Sequence, residues 1–372
     1  MNSRERYVET LTFGRPDRVP FEPGRPREST LRRWHGEGLP PDGHWFEHLC
    51  GHLGIEPPRT RARIDPGVDF RMIPQFTEEV LDRRDGHLIV RDWKGNVCEI
   101  SDEYDVSYLR QAKDFVTRRW IRCPVEGRED FERMKLRYDP QAPGRFPEDF
   151  SDRCRRLHDR DWPLRVSFPG PFWQMREWCG FEGLCVLMVE DPEFVDEMAR
   201  FWTDFVQAVL ERMLAELTPD ELMINEDMAY KQHSMISPAM TRRFCKPSYD
   251  RWFPPARSGG VKVITMDCDG YVGELLGLWM ESGINCCFPM EVAAGNDILA
   301  CRKDTGRRVA FLAGVDKRAI AAGGQTIRDE LRRVEPVIAD GGYIPGCDHG
   351  VPADISWPDF VDYADLLARM TG

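Results

Sequence analysis

The sequence predicts a single α/β domain with the architecture of a (β/α)8 TIM barrel. The carboxy-terminal half alternates short apolar runs with amphipathic helical patterns, and at least seven such units can be counted along the chain. Strands that alternate with helices pair in parallel through right-handed crossovers. Single barrels of this kind span about 200 to 400 residues, and the chain has 372. A closed barrel therefore accounts for the pattern better than an open doubly wound sheet.

The predicted strands are short apolar runs that end next to polar or turn-forming residues. One lies near the amino terminus, at residues 18–21. The later ones are predicted at residues 164–168, 221–225, 261–265, 284–288, 308–312 and 342–344. Runs of three to five apolar residues between helices are typical of strands buried on both faces of a parallel sheet.

Helix signals separate these strands. Pro169-Gly170-Pro171 ends one strand and begins a helix, Asp191 caps a long helix that starts at Pro192, and Ser237-Pro238 begins the next. The long helix carries apolar residues at three- and four-residue spacing, which predicts a buried stripe of Phe194, Met198, Trp202, Phe205 and Val209. Further helices are predicted at residues 274–281, 296–303, 327–339 and 358–370.

The stretch from about residue 36 to 101 has a different character. It begins rich in Pro, Gly and His, and then two apolar runs at residues 78–81 and 87–90 flank an Asp-Gly turn signal. Asp-Gly between apolar runs predicts a β-hairpin. We interpret this stretch as an insertion near the barrel mouth, within one domain that spans residues 1–372.

Composition excludes several classes of protein. The net charge is −12, with no concentrated basic surface for a phosphate backbone, which argues against nucleic-acid binding. No apolar run approaches the roughly 18 to 20 residues that cross a bilayer, which predicts no membrane span. The polar amino terminus lacks the apolar core of a secretory signal. The 12 cysteines are scattered along the chain, and we expect them to be reduced thiols. A cytoplasmic protein that acts on a small molecule is expected, and its oligomeric state stays open.

Several motifs carry a resemblance to a known family. They occur in order along the later part of the chain: Glu226-Asp227-Met228-Ala229-Tyr230-Lys231, Asp267-Cys268-Asp269-Gly270, Phe288-Pro289-Met290-Glu291-Val292, Gly314-Val315-Asp316-Lys317-Arg318 and Cys347-Asp348-His349-Gly350-Val351-Pro352. Together they resemble the uroporphyrinogen decarboxylase-like superfamily, which includes zinc-dependent corrinoid methyltransferases. The resemblance implies a (β/α)8 barrel.

Two activities are known in that superfamily, and the sequence departs from the pattern of each. The decarboxylases carry an arginine-rich motif after the first strand that grips substrate carboxylates; the stretch at residues 21–27 keeps arginines but adds Glu22. The methyltransferases carry a His-x-Cys and a later Cys that bind zinc. Here Met266 stands at the position of that histidine, Cys268 is retained, and His349 stands at the position of the final cysteine.

The candidate site residues lie just past predicted strand ends, where such a barrel opens. They comprise Glu226, Asp227, Asp267, Cys268, Asp269, Glu291, Asp316, Cys347, Asp348 and His349. The resemblance implies a zinc site, for which Cys268 and His349 are the expected ligands, with Glu226 or Asp267 supplying an oxygen. Asp227, Asp267 and His349 are the expected catalytic groups, which would exchange protons. The alternative is a carboxylate network that only shapes the pocket, with Cys347 as a packing thiol.

Substrate contacts are expected from two further groups. Asp316-Lys317-Arg318 would bind an anionic substrate group, or would instead form an ion-pair network. Trp173, Trp178 and His233 would form a flat wall against a corrinoid or an aromatic methyl donor, although aromatic residues after a strand often belong to the core.

These residues favour a methyltransferase that moves a methyl group between a small substrate and a corrinoid held by a partner protein. One alternative is a decarboxylase of uroporphyrinogen or another carboxylated substrate. A second is a non-catalytic subunit that binds a corrinoid or other ligand, which the replacement by Met266 would favour.

Overall fold

The computed structural model of the protein describes residues 1–57, 65–111 and 116–372. Its helices are α1 Ser3–Leu11, α2 Glu28–Gly36, α3 Trp45–Leu53, α4 Tyr108–Gln111, α5 Arg128–Lys135, α6 Phe150–His158, α7 Pro171–Cys179, α8 Phe181–Glu190, α9 Pro192–Leu214, α10 Pro238–Phe244, α11 Lys246–Ser258, α12 Gly273–Glu281, α13 Ile298–Thr305, α14 Lys317–Ala322, α15 Gly324–Asp340 and α16 Trp357–Thr371. Its strands are β1 Glu79–Arg84, β2 His87–Arg91, β3 Val97–Ser101, β4 Arg119–Arg122, β5 Arg165–Pro169, β6 Glu221–Asn225, β7 Val263–Asp267, β8 Cys286–Phe288, β9 Ala310–Leu312 and β10 Tyr343–Ile344.

The larger sheet is parallel and runs in the order β10-β9-β8-β7-β6-β5, so each strand pairs with its neighbours in sequence. One or more helices connect each strand to the next, as predicted. The register places Asn225 of β6 opposite Asp267 of β7 at the carboxyl ends of both strands. Polar side chains at these two positions therefore meet at one edge of the sheet.

The two faces of this sheet pack against different cores, because successive strand residues point to opposite sides. One face points away from the helices that connect the strands. It carries Val263, Cys286, Ala310, Leu312 and Ile344, which cluster with Tyr7 and Leu11 of α1. The hydroxyl of Tyr7 donates a hydrogen bond of 2.7 Å to Glu221 at the start of β6. Helix α1 thus covers the amino-terminal end of the sheet, and the carboxyl ends remain for a site.

The amino-terminal strand predicted at residues 18–21 is not formed. Instead the chain is extended and makes an isolated parallel bridge between Pro26 and Val351. The amides of Cys347 and Val351 donate to the carbonyls of Pro23 and Arg25, so this segment lies beside the chain that follows β10. Prolines at positions 16, 20, 23 and 26 lack amide donors, which explains why no continuous ladder forms.

Most helix signals read from the sequence are confirmed. Asp191 accepts a hydrogen bond from the Phe194 amide at the start of α9, and Ser237 accepts one from Met240 at the start of α10. The predicted stripe of α9 is buried throughout. Five of the six parallel strands begin one or two residues later than predicted. At β7, side chains of Arg257 and Asn285 bind the Lys262 carbonyl, so the ladder starts at Val263.

A second, antiparallel sheet has the order β1-β2-β3-β4. The predicted hairpin is present as β1 and β2, and Asp85 and Gly86 adopt positive φ in its turn. Leu88, Val90, Cys98, Ile100 and Leu109 form a small core of their own beneath this sheet. The sheet continues to Arg122 and so extends past the predicted end of the insertion near residue 101.

Within the described ranges, the helices are too short or too polar to cross a bilayer.

Candidate active site

Three carboxylates converge at the carboxyl ends of β6 and β7. Asp227, Asp267 and Asp269 each place an oxygen within 4.8 Å of one another, and all three are partly exposed. Among the described residues they form the one group of His, Cys, Asp and Glu side chains close enough to hold a cation together.

Backbone and amide groups fix these carboxylates. The side-chain amide of Asn225 donates a 2.5 Å hydrogen bond to Oδ2 of Asp267, as the register between β6 and β7 allows. The Asp269 amide donates to Oδ1 of Asp227 at 3.1 Å. Asp227 has a φ of 37°, a conformation that residues other than glycine rarely adopt. The arrangement thus includes a locally strained residue, as many functional sites do.

Close packing of like charges changes the acidity of the group. Burial, together with repulsion from Asp227 and Asp269, raises the pKa of Asp267 to about 7. Burial and the Asp269 charge raise the pKa of Asp227 to about 6. Near neutral pH these carboxyls therefore exchange protons readily, or they accept a cation that relieves their repulsion.

His349 contacts the same group from the loop after β10. Its Nε2 lies 3.1 Å from Oδ2 of Asp269, and its Nδ1 lies 3.2 Å from Nη2 of Arg27. Since a guanidinium can only donate, the neutral imidazole accepts at Nδ1 and donates from Nε2 to Asp269. The hydrogen bond to Asp269 raises the pKa of His349 above its usual value, against the effects of burial and of Arg27.

Glu226 lies behind this group and is completely buried. Its carboxylate accepts hydrogen bonds from the Tyr249 hydroxyl and from the Trp173 amide, the latter at 2.9 Å. A Cβ on Gly170 would lie 2.1 Å from Cδ of Glu226, so the glycine makes room for this side chain. Burial raises the pKa of Glu226 to about 7. Glu226 therefore links β6 to α7 and α11.

The structure does not bring the expected zinc ligands Cys268 and His349 into one group with Glu226 or Asp267. Cys268 and Met266 belong to the core that packs against the helices. The Cys268 thiol accepts from the Met228 amide and donates to the Asp269 carbonyl, and burial raises its pKa well above the ordinary value. Strand alternation gives the reason, since Asp267 occupies the opposite face from Met266 and Cys268.

The Asp316-Lys317-Arg318 segment forms an ion-pair network. The Lys317 amine donates to Oε1 of Glu291 at 2.7 Å, and its backbone amide donates to Asp348. Arg318 pairs with Asp316 at 2.8 Å. The Gly270 amide in turn donates to Glu291, so the loops after β7, β8, β9 and β10 are tied together.

The predicted aromatic wall is formed only in part. Trp178 is completely buried and packs in the core against aromatic residues of α5 and α9, so its placement at the mouth was wrong. Trp173 is half-buried, with the Arg176 guanidinium 4.6 Å from its ring centre. His233 is exposed and contacts Glu274 at 3.1 Å. Cys347 is a buried packing residue, as expected.

Three residues that contribute to the candidate site were given no role in the sequence analysis. Arg27 reaches His349 from a segment more than 300 residues away in sequence, and no local pattern signals that contact. Asn225 is the last residue of a correctly predicted strand, and strand alternation could have placed it beside Asp267. Asp269, placed at the mouth but given no role, follows Asp267 by two residues and faces the same opening.

Comparison with known proteins places this geometry in a family. The family model for uroporphyrinogen decarboxylase (URO-D) matches residues 120–360. Among solved structures, a methyltransferase from Methanosarcina mazei is similar over 99% of this chain and 98% of its own, with a TM-score of 0.58 and 15% identity. A B12-independent methionine synthase from Shewanella sp. W3-18-1, in complex with selenomethionine, covers 59% of this chain and 64% of its own, with a TM-score of 0.35 and 14% identity. No curated protein matches.

The similarity to the Methanosarcina mazei methyltransferase, at 15% identity, shows a shared fold alone. It agrees with the barrel class predicted from the sequence, which is confirmed. The family match contains all six strands of the parallel sheet and the residues Asp227, Asp267, Asp269 and His349. It covers more than half of the chain, and the protein therefore belongs to the uroporphyrinogen decarboxylase family.

Proposed function

We propose that the protein is a methyltransferase that moves a methyl group between a small substrate and a corrinoid carried by a partner protein. The observation that carries this proposal is the group of Asp227, Asp267 and Asp269 with His349 at the strand ends. A structural neighbour over the full length is described as a methyltransferase, which makes methyl transfer a reasonable first activity to test.

The raised pKa values of Asp227 and Asp267 suit a reaction in which a methyl acceptor loses a proton. A thiol or hydroxyl attacks a methyl group only after deprotonation, and a base is most effective when its pKa lies near the working pH. In the site without a cation, Asp267, with a pKa of about 7, is the proposed base. A bound cation would lower that pKa, and Asp267 would then act as a ligand. His349 would hold Asp269 in place and would donate a hydrogen bond at the same opening.

A divalent cation fits this site as a cofactor. Asp227, Asp267 and Asp269 supply oxygen donors, which harder divalent ions prefer and zinc accepts, whereas both ring nitrogens of His349 are engaged by Asp269 and Arg27. When bound, the cation would lower the pKa of an acceptor thiol or hydroxyl. Cys268 would join such a set only after giving up its two hydrogen bonds and its place in the core. The three aspartates are therefore the preferred ligands of such a cation.

The charge of the opening disfavours uroporphyrinogen as the substrate. Eight substrate carboxylates require a surface rich in cations. The Lys317 amine is already bound to Glu291, and Arg27 contacts His349. The three aspartates add negative charge at the same edge. A decarboxylase acting on a smaller acid remains the second candidate, and the family match favours it.

We also propose that residues 1–372 form one domain, with residues 36–101 as an insertion near the mouth. The small core beneath β2 and β3 is separate from the cores of the parallel sheet, which supports the distinction between barrel and insertion. Cytoplasmic residence is part of the same proposal.

Two measurements test the proposed function. Elemental analysis of the purified protein should find a divalent metal, which Asp269→Asn should reduce. Methylcobalamin mixed with the protein and a thiol acceptor should lose its methyl group, as followed by its visible spectrum. Conversion of uroporphyrinogen with no methyl exchange would favour the decarboxylase. The absence of both activities would favour the non-catalytic alternative.

A further inference from the structure

Helix α7 holds the chain that leaves β6 at two consecutive residues. The backbone amide of Trp173, in the first turn of α7, donates a 2.9 Å hydrogen bond to the carboxylate of Glu226. Nη1 of Arg176, three residues later, donates a 2.8 Å hydrogen bond to the backbone carbonyl of Asp227. One helix therefore binds both Glu226, which lies behind the candidate site, and Asp227, which belongs to it.

The guanidinium of Arg176 is itself held in place. Trp173 and Arg176 are three residues apart and so share a face of the helix. The guanidinium carbon lies 4.6 Å from the centre of the Trp173 ring and 5.6 Å from that of Phe172, distances at which a cation and an aromatic ring attract each other. Nη1 also lies 3.7 Å from Sδ of Met235. Arg176 thus offers the Asp227 carbonyl a donor of fixed position.

Asp227 needs such a donor because of its backbone conformation. Its φ of 37° lies in the left-handed region, where a residue with a side chain is strained. A strained conformation persists only where neighbouring contacts enforce it. Arg176 holds the carbonyl of Asp227, and the Asp269 amide donates to Oδ1 of its carboxylate at 3.1 Å. Together these contacts keep the carboxylate beside Asp267 and Asp269.

We propose that Arg176 is a positioning residue, which holds the Asp227 carboxylate in the group that it forms with Asp267 and Asp269. The guanidinium acts through the backbone of Asp227 and is not a member of that group. The inference rests on the proposed function, in which these three aspartates bind a cation.

The charge of Arg176 and its hydrogen bond affect a bound cation in opposite directions. The positive charge alone repels a cation, so its removal would tighten cation binding. The hydrogen bond orients a ligand of the cation, so its removal would weaken binding. The sign of the change in affinity therefore separates a positioning role from a purely electrostatic one.

Binding of Mn²⁺, followed by the EPR signal of the free ion, measures that sign. Arg176→Met removes both the charge and the hydrogen bond, and should raise the Mn²⁺ dissociation constant at least about 10-fold, as loss of a group that orients a ligand does. Arg176→Lys keeps the charge and a donor for the carbonyl, and should stay within about threefold of the wild-type value. Arg200→Met, at an exposed position of α9, is the matched control and should leave the affinity unchanged.

Two further variants test the route of the effect. In an Asp227→Asn background, adding Arg176→Met should not weaken Mn²⁺ binding further, because the ligand that Arg176 positions is already lost. A further loss would mean that Arg176 acts elsewhere, and would overturn the proposal. Trp173→Leu keeps the charge but removes the ring beside the guanidinium, and should weaken binding about threefold. It gives the same test if circular dichroism shows Arg176→Met to be unfolded.

Hydrogen exchange of the Asp269 amide tests the positioning without a metal. This amide donates to Oδ1 of Asp227, so with a chelator present it should exchange at least about 10-fold faster in Arg176→Met than in wild type. Arg200→Met should exchange at the wild-type rate. If the wild-type protein binds no Mn²⁺, the proposed cation site fails, and this exchange rate alone decides the inference. Unchanged exchange in Arg176→Met, or Mn²⁺ binding as tight as in wild type or tighter, would overturn it.

Discussion

Nε2 of His349 lies 3.1 Å from Oδ2 of Asp269, so a side chain from the loop after β10 is joined to one from the loop after β7. These loops are 80 residues apart in sequence, and the barrel brings them to one opening. The Asp269 amide then reaches Asp227, which connects the imidazole to the carboxylate group. The acid–base properties of the candidate site depend on this connection.

Asp269→Asn should lower the pKa of His349 toward its ordinary value. The Asp269 carboxylate favours the charged imidazole, whereas an amide of the same shape does not. The pKa is measured from the pH dependence of the His349 ring signals in NMR spectra. Asp304→Asn, at an exposed position of α13, is the control and should leave those signals unchanged. An unchanged titration in Asp269→Asn would contradict the assigned contact.

Asp267→Asn should stabilise the metal-free protein at alkaline pH. The folded-state pKa of Asp267 is about 7 against an ordinary value of 3.8, so its stabilising contribution is complete below about pH 4 and is lost as the pH rises through 7. Asparagine does not ionise, and the free energy of unfolding should rise by about 1 to 2 kcal/mol at pH 8.

Urea unfolding with a chelator present gives that free energy at pH 5 and pH 8. At pH 5 the gain should be smaller than at pH 8, since the folded wild-type carboxyl is still protonated there and only that of the unfolded chain is ionised. An equal gain at both values would show that repulsion among the carboxylates is not its cause.

Gly170→Ala should destabilise the protein by about 1 to 3 kcal/mol, because the new methyl group would overlap the carboxyl group of Glu226. Gly277→Ala in α12 is a matched control, since a Cβ there meets no atom within 4 Å. That change should stabilise slightly, by about 0.5 to 1 kcal/mol, as alanine favours a helix. Denaturant midpoints measure both. Adding Glu226→Ala to Gly170→Ala should remove the overlap, and strictly additive effects would argue against it.

Lys317→Met should lower the free energy of unfolding by about 1 to 3 kcal/mol, because the largely buried Glu291 would lose its cationic partner. Lys303→Met, on the exposed side of α13, is the control and should change little. Thermal unfolding followed by circular dichroism measures the effect. Unchanged stability combined with a raised KM would instead assign Lys317 to an anionic group of the substrate.

Much of the fold could be read from the sequence because its signals are local. Asp191-Pro192 fixes the start of α9, and six short apolar runs identify the six parallel strands. The strand predicted at residues 18–21 does not form, because prolines in and around it lack the amide donors that a strand ladder needs. Contacts between distant segments, such as Arg27 with His349, depend on the folding of the whole chain and leave no local signal.

The sequence predicted which strand ends form the site, and the alternation of side chains along each strand decides which residues face the opening. The prediction placed Asp227, Asp267 and His349 at one opening, where the structure has them. The motif comparison paired Met266 and Cys268 with a ligand pattern, yet both side chains are packed in the helix-facing core. The residues one position later, Asp267 and Asp269, face the opening. A shift of one residue in a strand reverses the face that it presents.

Single-turnover demethylation of methylcobalamin is the most direct test of methyl transfer at the aspartate group. The wild-type protein, given a thiol acceptor and a divalent metal, should convert the methylcobalamin spectrum to that of the demethylated corrinoid. Asp267→Asn should slow this conversion at least about 100-fold, because the site would lose its general base or a ligand of the cation, whereas Asp304→Asn should not. Conversion at equal rates in wild type and Asp267→Asn, or none in any protein, would contradict the proposed function.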